Sequence, residues 1–178
     1  MRRMALVIAA GLSLSACSFL GLGGRTVMDD LADAEPQGSA FNRALFQNYS
    51  YLAKSFGEDV EIPEGDTFDQ SGSNSMTSNT VGGLAAGYAR KALDAAKGID
   101  VAPEPARTES GEKIRSRLIR ATMRGRDYAP EAAARAQADY DCWVMNARVA
   151  QQLSASDQCK HSLDVTLARL ERTVQQAR

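Results

Sequence analysis

The chain of 178 residues has one histidine, one tryptophan and three cysteines, and only 6% of it is aromatic. Each shortage excludes something. A Ser-His-Asp or Cys-His arrangement would have to be built on His161 alone, and no G-x-S-x-G elbow presents a serine to it. No C-x-x-C redox pair occurs, and Cys159-Lys160-His161 is not a haem attachment site. The Gly82-Gly83 pair lacks the G-x-x-x-x-G-K-[ST] pattern of a phosphate loop. The longest apolar run, Met4 to Leu14, is too short to cross a bilayer as a helix. Positive charge is also short: with 21 basic and 22 acidic residues, the balance does not suit nucleic acid. Few aromatics and abundant alanine favour close-packed helices over a sheet.

What is present begins at the amino terminus. Residues 1–16 have the pattern of a secretory leader, with Arg2 and Arg3, the apolar run, and small residues before Cys17. Leu14-Ser15-Ala16-Cys17 resembles the lipobox of bacterial lipoproteins. That resemblance implies a thioether-linked diacylglycerol on Cys17, cleavage just before it, and acylation, as by palmitate, of the new amino terminus. The alternative is an ordinary signal peptide with a cysteine near its end. Ser18 stands where an aspartate would retain a Gram-negative lipoprotein at the inner membrane. The same resemblance therefore implies the inner leaflet of the outer membrane, with the domain facing the periplasm. Each buried acyl methylene adds about 0.8 kcal/mol to such an anchor.

With Cys17 lipid-modified, Cys142 and Cys159 remain as a pair in an exported, oxidising compartment, where a disulfide is the default. Together with His161 they are one ligand short of a structural zinc set, so neither metal nor cofactor is expected.

Residues 17–38, with Gly21, Gly23, Gly24, Pro36 and Gly38, are expected to form a lipidated cysteine and flexible tether of roughly 25 Å reach. Val27, Met28 and Leu31 suit a short docking turn. Residues 39–178 are expected to form one all-α domain, a small bundle of about five helices. Ser39 caps the first, which runs to Phe56 with Phe41, Leu45, Tyr49, Leu52 and Phe56 on one face and Gly57 as its stop. Residues 57–80 make a long polar loop. Its acidic residues Glu58, Asp59, Glu61, Glu64, Asp66 and Asp69 lack EF-hand spacing, and Ser71 to Ser75 favour a solvated, unstructured segment over a calcium site.

The second helix spans Thr80 to Lys97, turning Leu84, Tyr88 and Ala92 inward, with Gly98 ending it. Pro103 and Pro105 mark a break. The third runs from Ser110 to Arg124, with Ile114, Leu118, Ala121 and Thr122 inward and Gly125 as its stop. Its other face carries Arg115, Arg117, Arg120 and Arg124, followed by Arg126. This basic stripe is either a solvated face or a contact surface for an anionic partner such as lipopolysaccharide or an acidic protein patch. The fourth helix starts with Pro130 at its first position and shows Ala136, Tyr140, Trp143 and Ala147 on one face. Ser154 with Asp157 predicts a capping box for the fifth, whose seam is Cys159, Leu163, Leu167, Leu170 and Val174. An antiparallel hairpin of these two helices, stapled by Cys142 and Cys159, requires its turn near residues 149–153. Closing that loop is worth about 3 kcal/mol in the chain-entropy model.

Two blocks carry a further resemblance. Gln37-Gly38-Ser39-Ala40-Phe41-Asn42 with Ala44-Leu45, Tyr49 and Leu52-Ala53 is one. The other is Ala136-Gln137 with Tyr140-Asp141-Cys142-Trp143, followed by Cys159-Lys160. Together they are similar to the all-helical amino-terminal region of OmpA-family outer-membrane lipoproteins. The family's peptidoglycan-binding OmpA-like domain has no counterpart before the sequence stops at Arg178, so peptidoglycan binding is not carried over. The polar loop also departs from the family pattern.

These observations lead to the expectation of a non-catalytic envelope module that binds or scaffolds a protein partner. The basic stripe and the aromatics Tyr51 and Tyr128 are its candidate contact residues. An envelope hydrolase using carboxylates is an alternative, although Glu109 with Glu112, and Asp139 with Asp141, are spaced like ordinary helix-surface residues. A small-ligand carrier with an apolar cavity between helices is another.

Overall fold

A computed structural model of the chain describes residues 26–57 and 80–177. The leader, Cys17, Ser18 and the acidic and serine-rich parts of the polar loop lie outside the described residues. Among the described residues there are six α-helices and no strand: α1 Val27–Ala32, α2 Ala40–Gly57, α3 Val81–Ala96, α4 Glu109–Tyr128, α5 Pro130–Asn146 and α6 Leu153–Gln176. The molecule is a small all-α bundle with a disulfide-stapled carboxyl-terminal hairpin, as the helical periodicity predicts.

The Ser39 cap expected for α2 forms, and Thr80 caps α3. Ser39 Oγ accepts from the Asn42 amide at 3.1 Å, and Thr80 Oγ1 from the Gly83 amide at 3.0 Å. Phe41, Leu45 and Tyr49 are buried, with Leu52 and Phe56 packed against the core. Tyr88 of α3 stacks between Tyr49 and Phe56, at ring separations of 6.5 and 5.8 Å. Rather than showing one inner face, α3 is buried on every side from Gly82 to Ala89. Its alanines and glycines serve as a thin central rod, which offsets their weak helix propensity. It ends as expected. Gly98 takes φ of +77°, and the Ile99 amide donates to Asp94 O at 3.0 Å, a Schellman motif.

Residues 26–38 are not the tether expected of them, and the short docking turn read from Val27, Met28 and Leu31 forms as α1. Thr26 and Asp29 form a reciprocal capping box, Leu31 is buried, and the Gln37 amide donates to Ala96 O at 2.8 Å. Gly38, the one tether glycine among the described residues, serves close contact instead: a Cβ on it, at φ +86°, would lie 3.1 Å from Gly98 Cα.

Two helix ends also differ. Gly125 does not stop α4, which continues to Tyr128. Gly125 is buried where α4 meets α5 and α6, and a Cβ on it would sit 2.6 Å from Leu170 Cδ1 and 3.3 Å from Ala133 Cβ. Gly125→Val is expected to cost about 2 kcal/mol by overpacking this contact, measured as a lowered urea midpoint at unchanged slope. The Ser154 capping box does not form either. The chain enters α6 through a 3-10 turn at Ala150–Gln152, and Ser156 donates instead to Trp143 O at 2.9 Å. The turn itself falls where the hairpin geometry requires it.

Candidate functional site

Between α3 and α4 the chain runs without regular secondary structure over residues 99–108, and this strap crosses the bundle beside a set of buried charges. Pro103 and Pro105 hold it extended. Between them Glu104 is buried to 1% exposure. Its amide donates to Asp141 Oδ1 at 2.8 Å. Its carboxylate pairs with Lys91 Nζ at 3.0 Å and with Arg148 Nη2 at 3.1 Å.

Asp141 is the hub. Lys91 Nζ lies 3.1 Å from its Oδ2, and Tyr49 Oη donates to the same oxygen at 2.6 Å. Burial pushes the Asp141 carboxyl up, with Lys91 pulling the other way. Burial alone would push the Lys91 ammonium down, but Asp141 and Glu104 beside it leave it raised. The Tyr49 phenol is pushed well up, by burial first and then by Asp141. Lys91 and two further side chains fasten the strap through its carbonyls. Gln137 Nε2 donates to Val101 O at 2.6 Å, Lys91 Nζ to Ala102 O at 3.0 Å, and Arg115 Nε to Glu104 O at 3.0 Å.

Thus two buried carboxylates meet two largely buried cations, and the contacts tie the strap to α3, α4 and α5 and to Arg148 in the turn after α5. A cluster of perturbed titratable groups in a cleft is a reasonable catalytic candidate. Three surface clefts of the described residues do not reach these groups. One of about 590 Å³ opens by Asp30, Asp33, Leu93 and Lys97, and two of about 420 and 170 Å³ flank α4, and none is lined by Asp141 or Glu104. Among the described residues no group of three or more His, Cys, Asp or Glu has the arrangement to hold a metal ion.

The expectation that Asp139 and Asp141 are surface residues is overturned, since both are buried. They do not form a catalytic pair either. Two positions apart on a helix they point about 200° from one another, and Asp139 accepts from Arg135, Ser162 and Thr166 at 2.9 Å, a clasp between α5 and α6. Glu109 and Glu112 are exposed and pair with Lys113 and Arg115. His161 is exposed on α6. Cys142 and Cys159 are bonded, with Cα atoms 5.7 Å apart.

The five arginines do not make one stripe. Arg115 reaches the strap carbonyls, and Arg126 pairs with Asp100 at 2.8 Å while lying 4.6 Å over the Phe41 ring. Both lie roughly opposite the row formed by Arg117, Arg120 and Arg124. Arg117 makes a forked pair with Glu171 at 3.1 and 2.7 Å. Arg120 and Arg124 are exposed and make no ion pair among the described residues. Tyr51 and Tyr128 are exposed, at 68% and 66%.

Lys91, Glu104 and Arg148 escaped the sequence reading. For α5 the sequence offered only Gln137 and Asp141 four apart among alanines, a spacing that sets them on one face without telling whether that face is buried, and Arg148 lies beyond the end of α5. Tyr49 comes from one of the two sequence blocks singled out above and Gln137 and Asp141 from the other, and they meet in this network. No family model, curated protein or solved structure matches the chain.

Proposed function

We propose that the chain is a lipid-anchored periplasmic protein of the outer membrane that works as a binding or scaffolding module. The observation that carries this reading is the use to which its ionisable groups are put. The buried carboxylates and cations are engaged around the strap, whereas Arg120 and Arg124, one turn apart and without an ion pair among the described residues, stand on an outer surface. A surface of that kind suits contact rather than chemistry. The Cys142–Cys159 disulfide supports an exported, oxidising compartment, and Leu14-Ser15-Ala16-Cys17 supports lipid attachment at Cys17.

The test is intact-mass spectrometry and fractionation of the protein made in a Gram-negative cell. The wild-type chain should begin at Cys17, carry diacylglycerol and a third acyl chain, and sediment with outer membrane. Cys17→Ala should shift almost wholly to the soluble fraction, because several acyl chains of anchoring free energy are removed. An unacylated wild-type chain in the soluble fraction would overturn the anchor. A hydrolytic activity of the purified protein on envelope material, lost on Glu109→Gln or Glu112→Gln with folding intact, would overturn the scaffold.

A further inference from the structure

On α4, Lys113, Arg117, Arg120, Arg124 and Tyr128 follow one another at helical spacings of four, three, four and four, so they form a single outward row. Lys113 is answered by Glu109 at 2.7 Å and Arg117 by Glu171. Arg120 and Arg124, one turn apart, repel one another with no anion paired to either. They border a cleft of about 170 Å³ between α4 and α6, whose floor includes Val174 and whose wall includes Arg117. Beyond them Tyr128 stands 66% exposed, a ring with an apolar body and a polar tip. The whole chain has a net charge of −1, so this row is a local exception.

Guanidinium groups match phosphate oxygens in geometry, and an exposed tyrosine at the end of such a row suits the headgroup level of a bilayer. Magnitude selects the occupant. Each cation near an anionic leaflet strengthens binding only about fivefold. A patch with two uncompensated cations therefore holds nothing in dilute solution, and becomes effective only where the anion is presented at very high local concentration. A chain lipidated at Cys17 has such a surface within reach, because residues 17–26 span at most about 30 Å.

We propose that the outward row of α4, through Arg117, Arg120, Arg124 and Tyr128, lies against the phosphate headgroups of the leaflet that carries the chain's own lipid anchor. This deepens the anchored-module reading and rests on it. Docking by α4 sets which face of the bundle is presented to the periplasm, and leaves the α2 surface around Tyr51 open.

The experiment uses full-length protein recovered from membranes and reconstituted into vesicles of phosphatidylcholine, with or without phosphatidylglycerol. Tyr128→Trp reports contact through quenching by brominated lipid, against the wild-type background of Trp143. Quenching should appear in vesicles containing phosphatidylglycerol, and disappear in high salt. In Tyr128→Trp carrying Arg120→Glu and Arg124→Glu, docking should be weaker by more than about twentyfold, while Arg120→Lys and Arg124→Lys retain most of it. All three substituted sites are exposed, and circular dichroism checks that the fold is unchanged. Equal quenching with and without phosphatidylglycerol, or quenching indifferent to charge reversal, would overturn the docking. So would displacement of the row from the vesicles by hexaglutamate at micromolar concentration, which would assign it to an acidic polypeptide. Wild-type protein that fails to float with either vesicle removes the anchor and the docking together, whereas flotation without quenching removes the docking alone.

Discussion

Asp141→Ala lowers the folding free energy by about 3–5 kcal/mol, the expected loss when one member of a buried ion network is truncated and its partners stay behind. The residue is fully buried and answers Lys91, Tyr49 and the Glu104 amide at 2.6 to 3.1 Å. Removal leaves the Lys91 ammonium, whose side chain is 11% exposed, with one carboxylate instead of two. It also orphans the Glu104 amide, a buried donor whose desolvation costs about 1–3 kcal/mol. The thermal midpoint should fall by roughly 10–15 °C for a domain of this size. Hydrogen exchange should quicken first at the strap, residues 99–108, because that is what Asp141 holds. The partner substitution distinguishes charge from packing. Lys91→Met with Asp141→Leu removes both charges and keeps apolar volume, so it should be much less destabilised than Asp141→Ala alone. A double variant as unstable as the sum of the two single variants would show that the pair is uncoupled, and a loss below about 1 kcal/mol in Asp141→Ala would deny the hub role.

Cys142→Ser with Cys159→Ser is expected to lose about 3 kcal/mol, the loop-closure entropy of a bridge whose cysteines are 17 residues apart. The hairpin does not come apart on losing it. Asp139 still accepts from Ser162 and Thr166, Ser156 still donates to Trp143 O, and Lys160 still lies 5.4 Å over the Trp143 ring. The variant should therefore keep native helicity, and show a lower urea midpoint that reductant does not move further. Wild-type protein should fall to that same midpoint when reduced. Free thiols at Cys142 and Cys159 in protein isolated from the envelope, or a midpoint unchanged by the double substitution, would contradict a structural bridge.

Much of the fold could be read one helix at a time. Ser39 and Thr80 are caps because a hydroxyl accepts from an amide three residues on, an interaction contained within one turn of chain. Gly98 stops α3 for a similarly local reason, the left-handed backbone its missing side chain permits. Phe41, Leu45 and Tyr49, or Leu163, Leu167, Leu170 and Val174, announce their inward face by spacing alone. The local rule misleads where a residue answers to a neighbour distant in sequence. Gly125 looks like a stop and is a contact, since Leu170 and Ala133 occupy the space its side chain would need. Ser154 looks like a cap, yet the 3-10 turn before it already carries the chain into α6. Residues 26–38 look like a linker by composition, and α3 gives them a surface on which to fold.

The charges divide in the same way. From the sequence by itself came the all-α class and the place of the turn between the last two helices, because helical period and chain length decide these before any packing exists, and the pairing of Cys142 with Cys159, the two cysteines left once Cys17 is assigned to the anchor. Tertiary structure alone decided that Glu104, Lys91, Asp141 and Arg148 form one buried network, and that Arg115 and Arg126 face the strap while Arg120 and Arg124 face outward. A charged side chain has no periodic signature that tells a solvated face from a buried pair. Its fate depends on whether an opposite charge arrives from another element to offset desolvation, and here that partner comes from as far as 50 residues along the chain, as Asp141 does for Lys91.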